Sequence, residues 1–110
     1  MNEPKEAAHA YEEGLRRDPA SVELRYGLAR AYLDGKIPGR AEIELQRVLA
    51  ARPDFAAAHY EVARIAALNG DWPKAARALE NYLVHEPNPP DRSGVEAALV
   101  EARRRAALRP

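Results

Sequence analysis

The stretch Ala75-Ala76-Arg77-Ala78-Leu79-Glu80-Asn81-Tyr82-Leu83-Val84-His85-Glu86-Pro87 decides the fold. Ala75, Leu79, Tyr82 and Leu83 stand at i, i+4, i+7 and i+8, which is one stripe of an α-helix. Pro87 stands just past that helix, where a missing N–H does least harm. Subtracting 34 from each position gives the same layout in Ala41, Leu45, Val48, Leu49 and Pro53. Subtracting 34 again gives Ala7, Tyr11, Gly14, Leu15 and Pro19, which repeat it more weakly.

A second stripe precedes each copy. Leu24, Leu28, Ala31 and Tyr32 form one, and Val62, Ala63, Ala66 and Ala67 the next. At the same offset Tyr26 falls on Tyr60, Leu28 on Val62, Ala29 on Ala63 and Arg30 on Arg64. Small residues at Ala29 and Ala63 let two helices approach closely. Each unit therefore reads as a helix pair.

The punctuation agrees. Ser21 and Asp54 are positioned to cap the helices that follow them. Gly70 ends one helix and Asp71-Trp72-Pro73 opens the next, with Asp71 as N-cap. Lys36-Ile37-Pro38-Gly39 is read as the same turn shifted by one position. The spacing predicts six helices, over 3–17, 21–34, 38–51, 55–69, 72–85 and 91–108. Pro87-Asn88-Pro89-Pro90 is a stiff linker. Ser93 with Glu96 fits a capping box, which would start the last helix there instead of at Asp91. That helix carries Val95, Leu99, Ala102 and Ala106 on one face and reads as a closing helix over the stack. The organisation expected is a half repeat (3–19), two repeats (20–53 and 54–87) and a linker with capping helix (88–110), all in one domain spanning 1–110.

Composition excludes several function classes. The chain has 110 residues, no cysteine, and 17 basic against 17 acidic residues. Disulfides and thiolate metal sites are excluded. Zero net charge argues against nucleic acid, whose phosphates need a basic surplus. No apolar run is long enough to cross a bilayer, so no membrane partner is expected. The first residues lack the apolar core of a secretory signal, so a cytoplasmic chain is expected unless a leader was removed. Threonine is absent and β-branched residues are few, which favours helix over strand.

At this point the chain resembles the tetratricopeptide repeat family. That family's signature runs near W-x2-L-G-x2-Y, then A-x3-F, then P, within a helix–turn–helix of the same period. It is present as Arg25-x2-Leu28-Ala29-x2-Tyr32, Ala41-x3-Leu45 and Pro53. It recurs as His59-x2-Val62-Ala63-x2-Ala66, Ala75-x3-Leu79 and Pro87, with Ala7-x3-Tyr11 and Pro19 as the tail of an earlier unit. Arg25 and His59 replace the tryptophan, alanine the glycine and leucine the phenylalanine. The resemblance implies an all-α, right-handed superhelix of about six antiparallel helices. The first helix of each pair would line a concave groove for a peptide or partner protein.

The groove positions that resemblance implies are Tyr26, Arg30, Leu33 and Asp34, then Tyr60, Arg64, Ala67 and Leu68. Two Tyr–Arg pairs at one-turn spacing stand out, because both residue types are enriched at binding hot spots. The competing reading makes the tyrosines packing residues and pairs the arginines with Glu23, Glu61 or Asp34. Some family members clamp the carboxylate tail of heat-shock chaperones with lysines and asparagines. The corresponding places hold Tyr26, Arg30, Glu61, Asp91 and Val95, of which only Arg30 suits, so a chaperone-tail clamp is not expected. The alternative function is self-association into a homo-oligomer through the incomplete first repeat, although helix 3–17 offers mostly alanine outside Tyr11 and Leu15.

Chemistry finds little support. His9, His59 and His85 lack the spacing of a metal site, so no metal and no cofactor are expected. His59 is expected in a helix seam and His85 at a helix C-terminus. Ser21 and Ser93 read as caps instead of nucleophiles, and no enzyme is expected. Glu12, Glu13, Glu42 and Glu44 are assigned to solvated helix faces. Arg103-Arg104-Arg105 with Arg109 is read as complementing a helix dipole. Trp72 is expected to pack in the turn between paired helices.

Overall fold

The computed structural model describes residues 3–108. Among them are six helices: α1 (Pro4–Arg17), α2 (Val22–Asp34), α3 (Pro38–Ala51), α4 (Ala56–Leu68), α5 (Trp72–His85) and α6 (Arg92–Ala107). All six predicted helices are present, and none of their ends moves by more than one position. No strand is present among the described residues. The chain divides into two compact units, Met1–Pro53 and Asp54–Pro110.

In the first unit α1 packs on α2 and α2 on α3. Ala8, Leu28 and Ala31 form a buried cluster, flanked by half-buried Ala7, Tyr11, Leu15 and Tyr32. Ala29, Ala41, Leu45 and Val48 have no exposed surface. The expected stripes are thus the ones that leave water. In the second unit α4 packs on α5 and α5 on α6. Its core runs through Ala63 and Ala66 of α4, Ala75 and Leu79 of α5, and Val95, Leu99 and Ala102 of α6. So many alanines let helix axes come close, and each bulky residue then fills a defined gap.

The turns within the two pairs are in register, which corrects the one-position shift expected for the first. Gly70 adopts φ 72° and Lys36, 34 positions earlier, φ 61°. In both turns the following residue donates back to the helix, Ile37 N to Tyr32 O and Asp71 N to Ala66 O, each at 2.8 Å. Pro38 and Trp72 then open α3 and α5. Pattern reading misses the register because only one turn carries the glycine that a left-handed residue favours.

The caps follow expectation at Ser21, which accepts from Leu24 N at 3.1 Å, and at Asp71, which accepts from Lys74 N at 3.3 Å. Two expectations are overturned. Phe55, and not Asp54, is the N-cap of α4, with no side-chain hydrogen bond there. The last helix starts at Arg92, because Asp91 accepts from Gly94 N at 3.1 Å. Ser93 therefore lies inside α6 and is not its cap, since the aspartate two positions earlier already satisfies the free amide.

Candidate functional site

There are two candidate surfaces, one on α2 and one on α4. Along α2, Tyr26, Arg30 and Asp34 succeed one another at one-turn spacing. They line a cleft of about 390 Å3 together with Pro4, Ala7 and Tyr11 of α1. Tyr26 is half-buried, whereas Arg30 and Asp34 are exposed. Leu33 does not line this cleft. Glu23, at its edge, accepts from Arg52 at 2.9 Å. Among the described residues neither Arg30 nor Asp34 makes an ion pair.

The floor of the cleft follows from one small residue. Gly27 lies under the ring of Tyr11, so close that an added Cβ would come within 2.3 Å of Tyr11 Cε1. An aromatic of α1 thereby fills volume that a side chain on α2 would otherwise take.

Along α4, Tyr60, Arg64 and Ala67 line a smaller pocket of about 200 Å3, whose walls include Trp72 of α5 and Ala98 of α6. Its surface is mainly apolar. Ala67 also packs against the core, so it serves as floor as well as groove. Leu68 is 75% exposed and lies outside the pocket. Tyr60 is tilted against Tyr82 with ring centroids 5.2 Å apart. Burial raises the pKa of Tyr82 above the usual phenol value, and Glu86 adds to that.

The two Tyr–Arg pairs are not equivalent. Arg64 donates to both oxygens of Glu61, at 3.0 and 3.2 Å, and Glu61 is buried. One repeat before Glu61 stands Gly27, so α2 has no such carboxylate for Arg30. The ion-pair reading therefore holds for Arg64 with Glu61 and fails for Arg30.

Residues around these surfaces correct other expectations. Glu44 is only 8% exposed, not solvated, because Arg25 and Arg47 both donate to it. Glu12 and Glu13 are exposed as expected. Trp72 is half-buried against the core of its helix pair, as expected, and in addition has the Arg105 guanidinium 4.7 Å from its ring centroid. Arg104 and Arg105 both hold Glu101, and Arg103 donates to Glu80 at 3.1 Å. Each of these three arginines thus has a carboxylate partner, Arg104 and Arg105 sharing one; Arg109 lies outside the described residues. His59 does lie in the α4–α5 seam, stacked on His85 with centroids 5.5 Å apart.

No cluster of three or more potential metal ligands occurs among the described residues. No helix among them is long and apolar enough to cross a membrane.

Repeated helix pairs, with matching stripes and in-register turns, define an all-α helical-repeat scaffold. The chain belongs to the tetratricopeptide repeat family, whose models match residues 1–57 and 38–92. That family is in general a non-catalytic protein-interaction module. Two curated proteins are similar to the chain. One is the tetratricopeptide repeat and J domain-containing co-chaperone DNJ1 of Cryptococcus neoformans var. grubii, 36% identical over 77 residues. The other is the protein of the same name from Fusarium oxysporum f. sp. lycopersici, 34% identical over 73 residues. These matches cover 70% and 66% of this chain but only 15% and 14% of the relatives.

Proposed function

We propose that the chain is a non-catalytic scaffold that holds segments of another protein on the exposed faces of α2 and α4. The observation that carries this reading is the recurrence of Tyr–Arg at one-turn spacing, Tyr26–Arg30 and Tyr60–Arg64, each bordering a concavity. Tyrosine offers rigid contact area and arginine a planar fork of donors. The apolar pocket beside Tyr60 has room for one apolar side chain of a bound segment, and the cleft beside Tyr26 for polar ones.

The relatives named as co-chaperones are consistent with a protein partner. The chain's own residues do not supply the lysine and asparagine set of a chaperone-tail clamp. We read 20–53 and 54–87 as the two complete repeats and 88–110 as linker and closing helix.

The test is selection of binding peptides from a random displayed library, followed by NMR titration. Shifts at Tyr26, Arg30, Tyr60 and Arg64 are expected, and Tyr26→Ala with Tyr60→Ala should abolish binding. Peptides that bind elsewhere, or that bind the double variant equally well, would remove the reading.

A further inference from the structure

We propose that the pocket beside Tyr60 takes a leucine side chain of an extended partner segment, and that Arg105 holds a carboxylate two residues away on the same segment. This rests on the scaffold reading above and names the kind of segment one of its two surfaces takes.

The pocket is walled by α4, α5 and α6, and its floor is the core itself: Ala63, Ala75, Leu79 and Ala102 are each only 2–5% exposed. At about 200 Å3 it is smaller than the ~300–1,000 Å3 usual for a cofactor or small-molecule cavity, so one side chain is the occupant its size admits. Tyr60 and Trp72 border it with aromatic surface, which suits an aliphatic group. The site is particular to this interval of the chain. Thirty-four positions before Trp72, Glu101 and Arg105 stand Pro38, Ala67 and Asp71.

Charge at the rim selects the neighbour of that side chain. Glu101 lines the pocket, and its one carboxylate is shared by Arg104 and Arg105. The Arg105 guanidinium is fixed on two sides. Its Nε donates to Glu101 Oε2 at 2.7 Å, and its Cζ lies 4.7 Å from the Trp72 ring centroid. Neither of its Nη atoms has an acceptor among the described residues, and the side chain is 49% exposed. A guanidinium anchored through Nε keeps its two-pronged end for a second carboxylate, and two cations on one anion leave a positive surplus that attracts it. On the α4 wall Arg64 is already engaged by Glu61. In an extended segment, side chains two residues apart share one face roughly 6.5 Å apart, a reach that runs from the pocket across Trp72 to Arg105.

The probe is a capped peptide, Gly-Glu-Ser-Leu-Ser-Glu-Gly, which presents a carboxylate two residues from leucine in either chain direction. One counterpart has alanine for leucine, and another has glutamine for both glutamates. Calorimetry and NMR titration of the whole chain should show the first peptide binding roughly tenfold more tightly than either counterpart, with shifts at Tyr60, Ala63 and Ala98. Arg105→Gln should remove the advantage of glutamate over glutamine and keep that of leucine over alanine. Arg17→Gln, in the first unit, should keep both, and circular dichroism should be unchanged in each variant. No saturable binding, a counterpart that binds as tightly as the first peptide, or a glutamate preference that survives Arg105→Gln or is lost in Arg17→Gln would overturn the proposal. Shifts centred on Tyr26 and Arg30 would overturn it too, while leaving the general scaffold reading in place.

Discussion

Arg25 of α2 holds Glu44 of α3, its Nη1 donating to Glu44 Oε1 at 2.8 Å. The same guanidinium donates to the Pro19 carbonyl at 3.2 Å. Glu44 is nearly buried, and its second oxygen accepts from Arg47 at 3.2 Å. Removing Arg25 leaves that carboxylate with one largely exposed partner. Arg25→Ala should therefore destabilise the chain by ~1–3 kcal/mol, less than a fully buried broken pair because Arg47 remains. Urea denaturation measures it. The double change Arg25→Met with Glu44→Leu should recover most of the loss, since a packed apolar pair needs no desolvation of charge.

The turn at Lys36 gives a prediction of opposite sign. Its φ of 61° strains a residue with a Cβ, whereas Gly70 holds the matching conformation without that penalty. Lys36→Gly should stabilise the chain by about 1 kcal/mol. Gly70→Lys should cost a similar amount. Thermal melts of the two variants should move in opposite directions.

Core and surface positions should separate cleanly. Leu45 is fully buried and Leu79 is 5% exposed. Replacing either by alanine should cost ~2–5 kcal/mol. Tyr60→Ala should leave helicity nearly unchanged, because Tyr60 borders open space on one side. Circular dichroism with chemical denaturation distinguishes the two outcomes.

Acid should reach the α6 ion pairs late. Hydrogen bonds from Arg104, then Arg105, lower the Glu101 pKa from 4.5 to about 2. A carboxylate shifted down contributes stability that is complete above its unfolded value and lost as pH falls through the folded one. The contribution of these pairs is thus intact above about pH 4.5 and disappears towards about pH 2. The carboxyl carbon resonance of Glu101 should titrate with a midpoint near 2, and Arg104→Ala with Arg105→Ala should move that midpoint upward.

Helix boundaries are legible in the sequence because alanine and leucine repeat at helical spacing and proline marks each end. Terminal detail is less so. Asp54 has the right side chain for a cap, yet the chain turns so that Phe55 takes the position. Glu44 reads as solvated because local charge pattern says nothing about Arg25, its partner on the preceding helix. Among groove positions, Tyr26, Arg30, Asp34, Tyr60, Arg64 and Ala67 border the two concavities described, while Leu33 and Leu68 line neither. One-turn spacing fixes which residues share a line, but the width of that line depends on how the next helix packs. The difference between Arg30 and Arg64 is written in Gly27 and Glu61, and its meaning emerges only with the ion pair in view.

Trp72 is the sole tryptophan, and it lines the pocket beside Tyr60 with a cation stacked on its ring. Its intrinsic fluorescence therefore reports directly on occupancy of the pocket beside Tyr60. Filling of that pocket can be followed by titration without any attached label.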